Sequence, residues 1–174
     1  MVIELFRTTG IVRRIDTAGR ISIPRVLRKK YRLDEDVPVE IGEDEENLVL
    51  RKYSAIGQFS DSSKSILDSF SSITELPVIL CDTDMVIYSQ NTVSLSGKRI
   101  SDELYKHIRD KSERIPAMQV LQDGNIVSVE TKIIYSLRGN PVGALVIPEC
   151  GRDITGTQMD CLKLCAKAIG KLIG

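Results

Sequence analysis

No stretch of the chain approaches the roughly 20 apolar residues that a membrane-spanning helix needs. No basic segment followed by an apolar core opens the sequence either, so no secretory leader is read and a cytoplasmic protein with no membrane partner is expected. Cysteine is scarce: Cys81, Cys150, Cys161 and Cys165 form no C-x-x-C pair, and His107 is the single histidine. That spacing excludes the usual tetrahedral zinc site, and the reading is no metal, no cofactor and no catalytic residue. Buried, reduced thiols are expected. Cys161 and Cys165 lie four apart on a predicted helix and become redox partners only if another chain or loop meets them.

Net charge is also lacking, at zero overall, which on its face argues against a phosphate-rich partner. The average conceals a polarity. From Arg7 to Arg32 the charged residues are Arg7, Arg13, Arg14, Arg20, Arg25, Arg28, Lys29, Lys30 and Arg32, against the lone acid Asp16. From Asp34 to Glu46 the sign reverses, through Asp34, Glu35, Asp36, Glu40, Glu43, Asp44, Glu45 and Glu46, with no base. A basic end of this kind steers a polyanion to one face while the whole molecule stays soluble.

With 42% hydrophobic and 28% charged residues over 174 positions, the chain has room for a small head and a body of about 100 residues. In the head, Arg20–Ile23, Val37–Ile41 and Leu48–Arg51 alternate as strands do, and β-branched content favours a strand over Thr9–Ile15. Asp16–Gly19 reads as the turn between the first two, with Asn47 in the turn of a second hairpin. Pro24 suits the first position of a helix running to Arg32, with Leu27 and Tyr31 inward and Arg25, Arg28, Lys29 and Arg32 outward. The expected order is β, β, α, β, β. So short a unit buries little apolar surface and leaves sheet edges open, so two copies interleaving their hairpins are expected to complete it.

Tyr53–Gly57 reads as the boundary. The serine-rich segment that follows carries Phe59, Ser63, Ile66, Phe70 and Ile73 at helical spacing, and Pro77 ends it. Met159, Leu162, Ala166, Ile169 and Ile173 repeat that spacing near the carboxy terminus. Either helix suits packing on its own domain or a seam between chains. Between them, Val78–Cys81 and Met85–Tyr88 form a predicted hairpin. A helix opened by Ser101 covers the stretch to Lys111, and strands are predicted at Ala117–Leu121, Ile126–Leu137 and Val142–Ile147. Helices flanking an antiparallel sheet give an α+β class.

The run Thr9-Gly10-Ile11-Val12-Arg13-Arg14-Ile15-Asp16, then Gly19-Arg20-Ile21-Ser22-Ile23-Pro24 and Leu27-Arg28-Lys29, resembles the DNA-binding head of the AbrB family of transition-state regulators. Leu50–Ser54 and Val78–Asp82 are similar to members that carry a GAF-type sensor domain behind the head, and Gly143–Ile147 resembles the late core strand of GAF domains. The resemblance implies a swapped-hairpin, β-rich dimeric head at 1–53, a connecting helix at 54–76 and a GAF-like sensor and assembly domain at 77–174. It also implies a role in sporulation and a homodimer that pairs into a homotetramer.

Carried over by position, the basic contacts to double-stranded DNA fall on Arg13, Arg20, Arg28 and Lys29, with Arg14 a further candidate. Lys29 stands where relatives often carry arginine, so a point charge replaces a planar fork. Contacts would be made mainly to phosphates, with arginine able to fork onto guanine and with readout dominated by DNA shape. In the body, the Asn-Lys-x-Phe-Asp-Glu signature of cyclic-nucleotide binders is absent. An unidentified small-molecule ligand is expected, with Leu95, Met118 or Tyr135 as possible lining. Two other readings compete: an antitoxin-type DNA-binding protein, and a GAF-type ligand-binding or redox protein without DNA contact. The foldable body argues against the first, and the basic helix with Arg13 and Arg20 against the second.

Overall fold

The computed structural model describes residues 9–44, 46–111 and 117–173, and they form two compact units that divide between Tyr53 and Ser54. Arg7 and Glu45, counted above in the charged runs, lie outside the described residues. The class is α+β, with one two-stranded and one five-stranded sheet.

In the head, a single turn is fixed where it was expected. The Asp16 amide donates to the Arg20 carbonyl and the Gly19 amide to the Asp16 carbonyl, both at 3.0 Å, and Gly19 takes a φ of 76° that favours glycine. The flanking Thr9–Ile15 and Arg20–Ile23 segments, expected as strands, are in no ladder. A ladder needs a partner strand, and none of the described residues of the chain supplies one. The described head is therefore a turn, a helix and one hairpin rather than β, β, α, β, β.

Helix α1 (Arg25–Lys30) starts after Pro24, whose carbonyl accepts from the Leu27 and Arg28 amides at 3.0 Å. It stops in a Schellman arrangement, with the Leu33 amide reaching the Arg28 carbonyl at 2.8 Å and the Arg32 amide reaching that of Lys29 at 3.3 Å. Arg32 sits at the left-handed position of that motif, with φ 51°. Its side chain is thereby buried rather than outward beside Arg28 and Lys29. Strands β1 (Val39–Asp44) and β2 (Asn47–Lys52) pair antiparallel in register from Val39↔Lys52 to Asp44↔Asn47.

Helix α2 (Ala55–Gln58) is capped by Ser54, whose hydroxyl accepts from the Gly57 amide at 3.0 Å. In α3 (Ser60–Thr74) the serines that resemble a linker turn their hydroxyls back onto the helix: Ser65 donates to the Asp61 carbonyl, Ser69 to that of Ser65 and Ser72 to that of Ser69. That local bonding lets a serine-rich segment stay helical. The buried stripe is Ser63, Leu67, Phe70 and Ser71. Ile73, expected in the seam, is instead 78% exposed, because the stripe follows 3.6 residues per turn and leaves it on the outer side.

The body sheet runs β4 (Val86–Gln90), β3 (Val78–Asp82), β7 (Pro141–Pro148), β6 (Val127–Tyr135), β5 (Met118–Gln119), with every neighbouring pair antiparallel. Alternation divides the core between its faces. Val78, Leu80, Leu145 and Ile147 pack with Leu67 and Phe70 of α3 and with Leu162, Ala166 and Ile169 of α5 (Gly156–Leu172). Ile79, Cys81, Ala144 and Val146 pack on the other face with Leu104 and Ile108 of α4 (Asp102–Arg109). Both long helices, α3 and α5, thus lie on their own sheet.

Candidate nucleic-acid interface

All five basic residues singled out in the sequence, Arg13, Arg14, Arg20, Arg28 and Lys29, are exposed. Arg28 and Lys29 come together with Lys30 in the last turn of α1, where cations also suit the negative end of the helix dipole. Arg13 turns one guanidinium nitrogen to the Val12 carbonyl at 2.9 Å. Arg20 is the most tightly placed, its Nε donating to Asp16 Oδ2 at 2.9 Å.

Asp16 does several things at once. Its other oxygen, Oδ1, accepts from the Ala18 and Arg20 amides at 2.9 Å each, an Asx-type closure of the turn. The Arg20 amide bond first, and then the Arg20 side chain and the Ala18 amide, hold this carboxyl below the usual range against the opposing effect of desolvation. The carboxylate is therefore ionised across neutral pH. The sequence shows Asp16 as the one acid in a basic run, but not that it is paired.

The described residues of the head form no apolar interior. Among its described residues Arg32 is the one buried side chain, while Val12, Ile15 and Leu48 are 81%, 70% and 67% exposed and Ile21, Val26 and Ile41 are exposed too. Apolar surface of that extent is more than a small monomeric unit ordinarily leaves open.

In the body, Leu95 and Met118 are core residues rather than pocket lining. Tyr135 borders an open groove of about 200 Å³ with Leu137, Lys167 and Lys171. Burial, with the Asp82 charge second, pushes the Cys81 thiol up, away from the thiolate that cysteine chemistry needs. Cys165 is raised too, chiefly by burial and secondarily by Cys161. His107 is buried on α4 with Nε2 unpartnered among the described residues, and desolvation lowers its pKa.

No family model matches the chain. Over 155 residues, however, it is 33% identical to stage V sporulation protein T of Bacillus subtilis, covering 81% of this chain and 84% of that protein. The chain belongs to the stage V sporulation protein T family. Another relative matches this family member over 47 residues of its amino-terminal part: the transition state regulatory protein AbrB of B. subtilis, 43% identical, over 27% of this chain and 49% of AbrB. Among solved structures, the repressor BlcR of Agobacterium tumefaciens aligns over 86% of this stage V sporulation protein T relative and 82% of its own chain. That alignment has a TM-score of 0.41 and 11% identity, too distant to carry an argument. No helix among the described residues is long and apolar enough to cross a membrane.

Proposed function

We propose that this chain is a DNA-binding transcription regulator of sporulation genes, working in the cytoplasm on the nucleoid. Residues 1–53 act as an AbrB-like swapped-hairpin head, 54–76 as the connection and 77–174 as a GAF-like sensor and assembly domain. The observation that carries the reading is the coincidence, among the described residues of one small unit, of exposed arginines and lysines with a complete lack of buried apolar side chains. Two copies interleaving their 9–23 segments would give those segments ladder partners and cover Val12, Ile15 and Ile21. The basic residues of both copies would then serve one duplex.

Contacts are to phosphates first, with each neutralised phosphate adding roughly 0.9 to the salt slope. Pairing of the bodies into a homotetramer and binding of a small molecule belong to the same proposal.

The test is titration of a mixed-sequence DNA duplex with the full chain at several salt concentrations, beside Arg20→Ala. Wild type is expected to bind with a steep salt dependence. Arg20→Ala should bind more weakly and lower the slope by about 1.8 for a dimer that loses one phosphate contact per copy, with its melting temperature unchanged. A wild-type protein that ignores duplex in dilute buffer overturns the reading, and unchanged affinity in the variant removes Arg20 from the interface.

A further inference from the structure

A carboxylate on a DNA-binding face is electrostatically wrong. It repels every phosphate within a Debye length and neutralises a neighbouring cation, so charge counting makes it a liability. Asp16 is the one acid in the segment from Arg7 to Arg32, and it is bound to Arg20, one of the five basic residues of the proposed interface. Resting on the proposed DNA-binding reading, we infer that Asp16 is a positioning residue, which clamps the Arg20 guanidinium by its Nε edge and presents the opposite edge to the nucleic acid.

The geometry divides the carboxylate into two tools. Oδ1 fixes the turn through the Ala18 and Arg20 amides, so the backbone that carries Arg20 cannot swing independently of Asp16. Oδ2 takes Nε–H at 2.9 Å. The Arg20 and Asp16 side chains are 80% and 44% exposed, so the pair stands in solvent and is not a core ion pair. On its own such a pair adds little to stability. The value lies elsewhere.

A free arginine on an exposed turn samples many rotamers and loses them when it docks, whereas one held by Nε has already lost most of them. Bonding through Nε also leaves both terminal amino groups of the guanidinium without a described partner. Those groups make the parallel two-bond fork onto phosphate oxygens or the guanine edge. A lysine at position 20 has no second edge with which to do both.

The inference predicts an inversion of sign, which a purely structural or purely repulsive carboxylate does not produce. Asp16→Asn keeps a carbonyl oxygen for the two turn amides but replaces the Arg20 acceptor with an uncharged amide. In the otherwise wild-type full chain this variant is expected to weaken binding of a mixed-sequence duplex about fivefold, although it removes a negative charge. In an Arg20→Ala background, where there is nothing left to position, the same change should tighten binding about twofold by plain loss of repulsion.

Melting temperatures of Asp16→Asn and wild type should coincide, while Asp16→Ala, which also loses the Oδ1 bonds, should melt lower. Tightening by the same factor in both backgrounds overturns the inference and makes Asp16 a simple brake. Weakening by the same factor in both backgrounds also overturns it and reduces Asp16 to a turn-former. Absence of duplex binding by wild type would overturn the DNA-binding reading itself, and is thereby distinguishable from failure of the inference alone.

Discussion

His107 illustrates how one side chain sets a pH response. It is buried on α4, Nε2 has no partner among the described residues, and its folded pKa lies below the ordinary 6.5 because burial penalises the imidazolium. Between 6.5 and the lower folded value the unfolded chain therefore binds a proton that the folded chain does not, so stability falls as pH drops into that window and levels off below it. The melting temperature of the protein should decrease from about pH 7.5 to about pH 5.5, and His107→Leu should flatten that decrease. An identical decrease in the variant would assign the effect to other groups.

At this scale the sequence was a good guide to which residues are exposed and a poor one to their partners. Arg13, Arg14, Arg20, Arg28 and Lys29 are all exposed as expected. Arg32 breaks the pattern because helical periodicity extrapolates past the last turn, whereas the left-handed residue of a Schellman motif turns its side chain elsewhere. A glycine at that place would have announced the stop.

Among the elements, two glycines mark where the body tolerates no side chain. A Cβ at Gly143 of β7 would lie 2.1 Å from the Cys81 carbonyl oxygen on the paired strand β3 and 2.4 Å from Ile56 Cδ1. One at Gly170 of α5 would lie 2.2 Å from the Tyr135 carbonyl oxygen of β6. Backbone oxygen cannot step aside as a side chain can. Gly143→Ala is expected to cost about 3 kcal/mol or more in denaturant unfolding, and a neutral result would mean that the sheet shifts register freely.

The start of α5 is a separate target. Thr155 accepts from the Gln158 amide while the Gln158 side chain accepts from the Thr155 amide, and Gln158 also donates to the Thr74 carbonyl at the end of α3 at 3.1 Å. Thr155→Ala should cost about 1 kcal/mol, read as an earlier unfolding midpoint. The elements that hold themselves together were the ones periodicity revealed: α4 with its Ser101 cap, α5, the β3–β4 hairpin and the β1–β2 hairpin. Arg20–Ile23 was read as a strand from the same alternation, and Thr9–Ile15 from its β-branched content. What alternation cannot encode is whether the partner strand belongs to the same chain.

For the whole molecule, the two units differ in kind. The body has a sheet covered on both faces, whereas the described head has no buried apolar residue at all. A fragment of residues 54–174 should unfold cooperatively by itself, and limited proteolysis of the full chain should leave it as the resistant piece. A fragment of residues 1–53 should sediment as a folded dimer or not fold. A stable folded monomer of that fragment would overturn the swapped-hairpin proposal. The polarity of charge and the family membership were both open to reading from the sequence. No residue pattern tells whether the body takes a small molecule, because apolar positions in sheet and helix serve a filled core and a ligand pocket alike, and Leu95 and Met118 turned out to serve the former.

If two heads interlock as proposed, the lack of buried apolar side chains among the described head residues makes the abundance of the protein part of its regulation. Chains too dilute to meet would leave Val12, Ile15 and Ile21 facing solvent and present an unassembled grip, so occupancy of a promoter should climb more steeply than in proportion to the amount synthesised. Dilution at cell growth or division would then release DNA without any signal being bound.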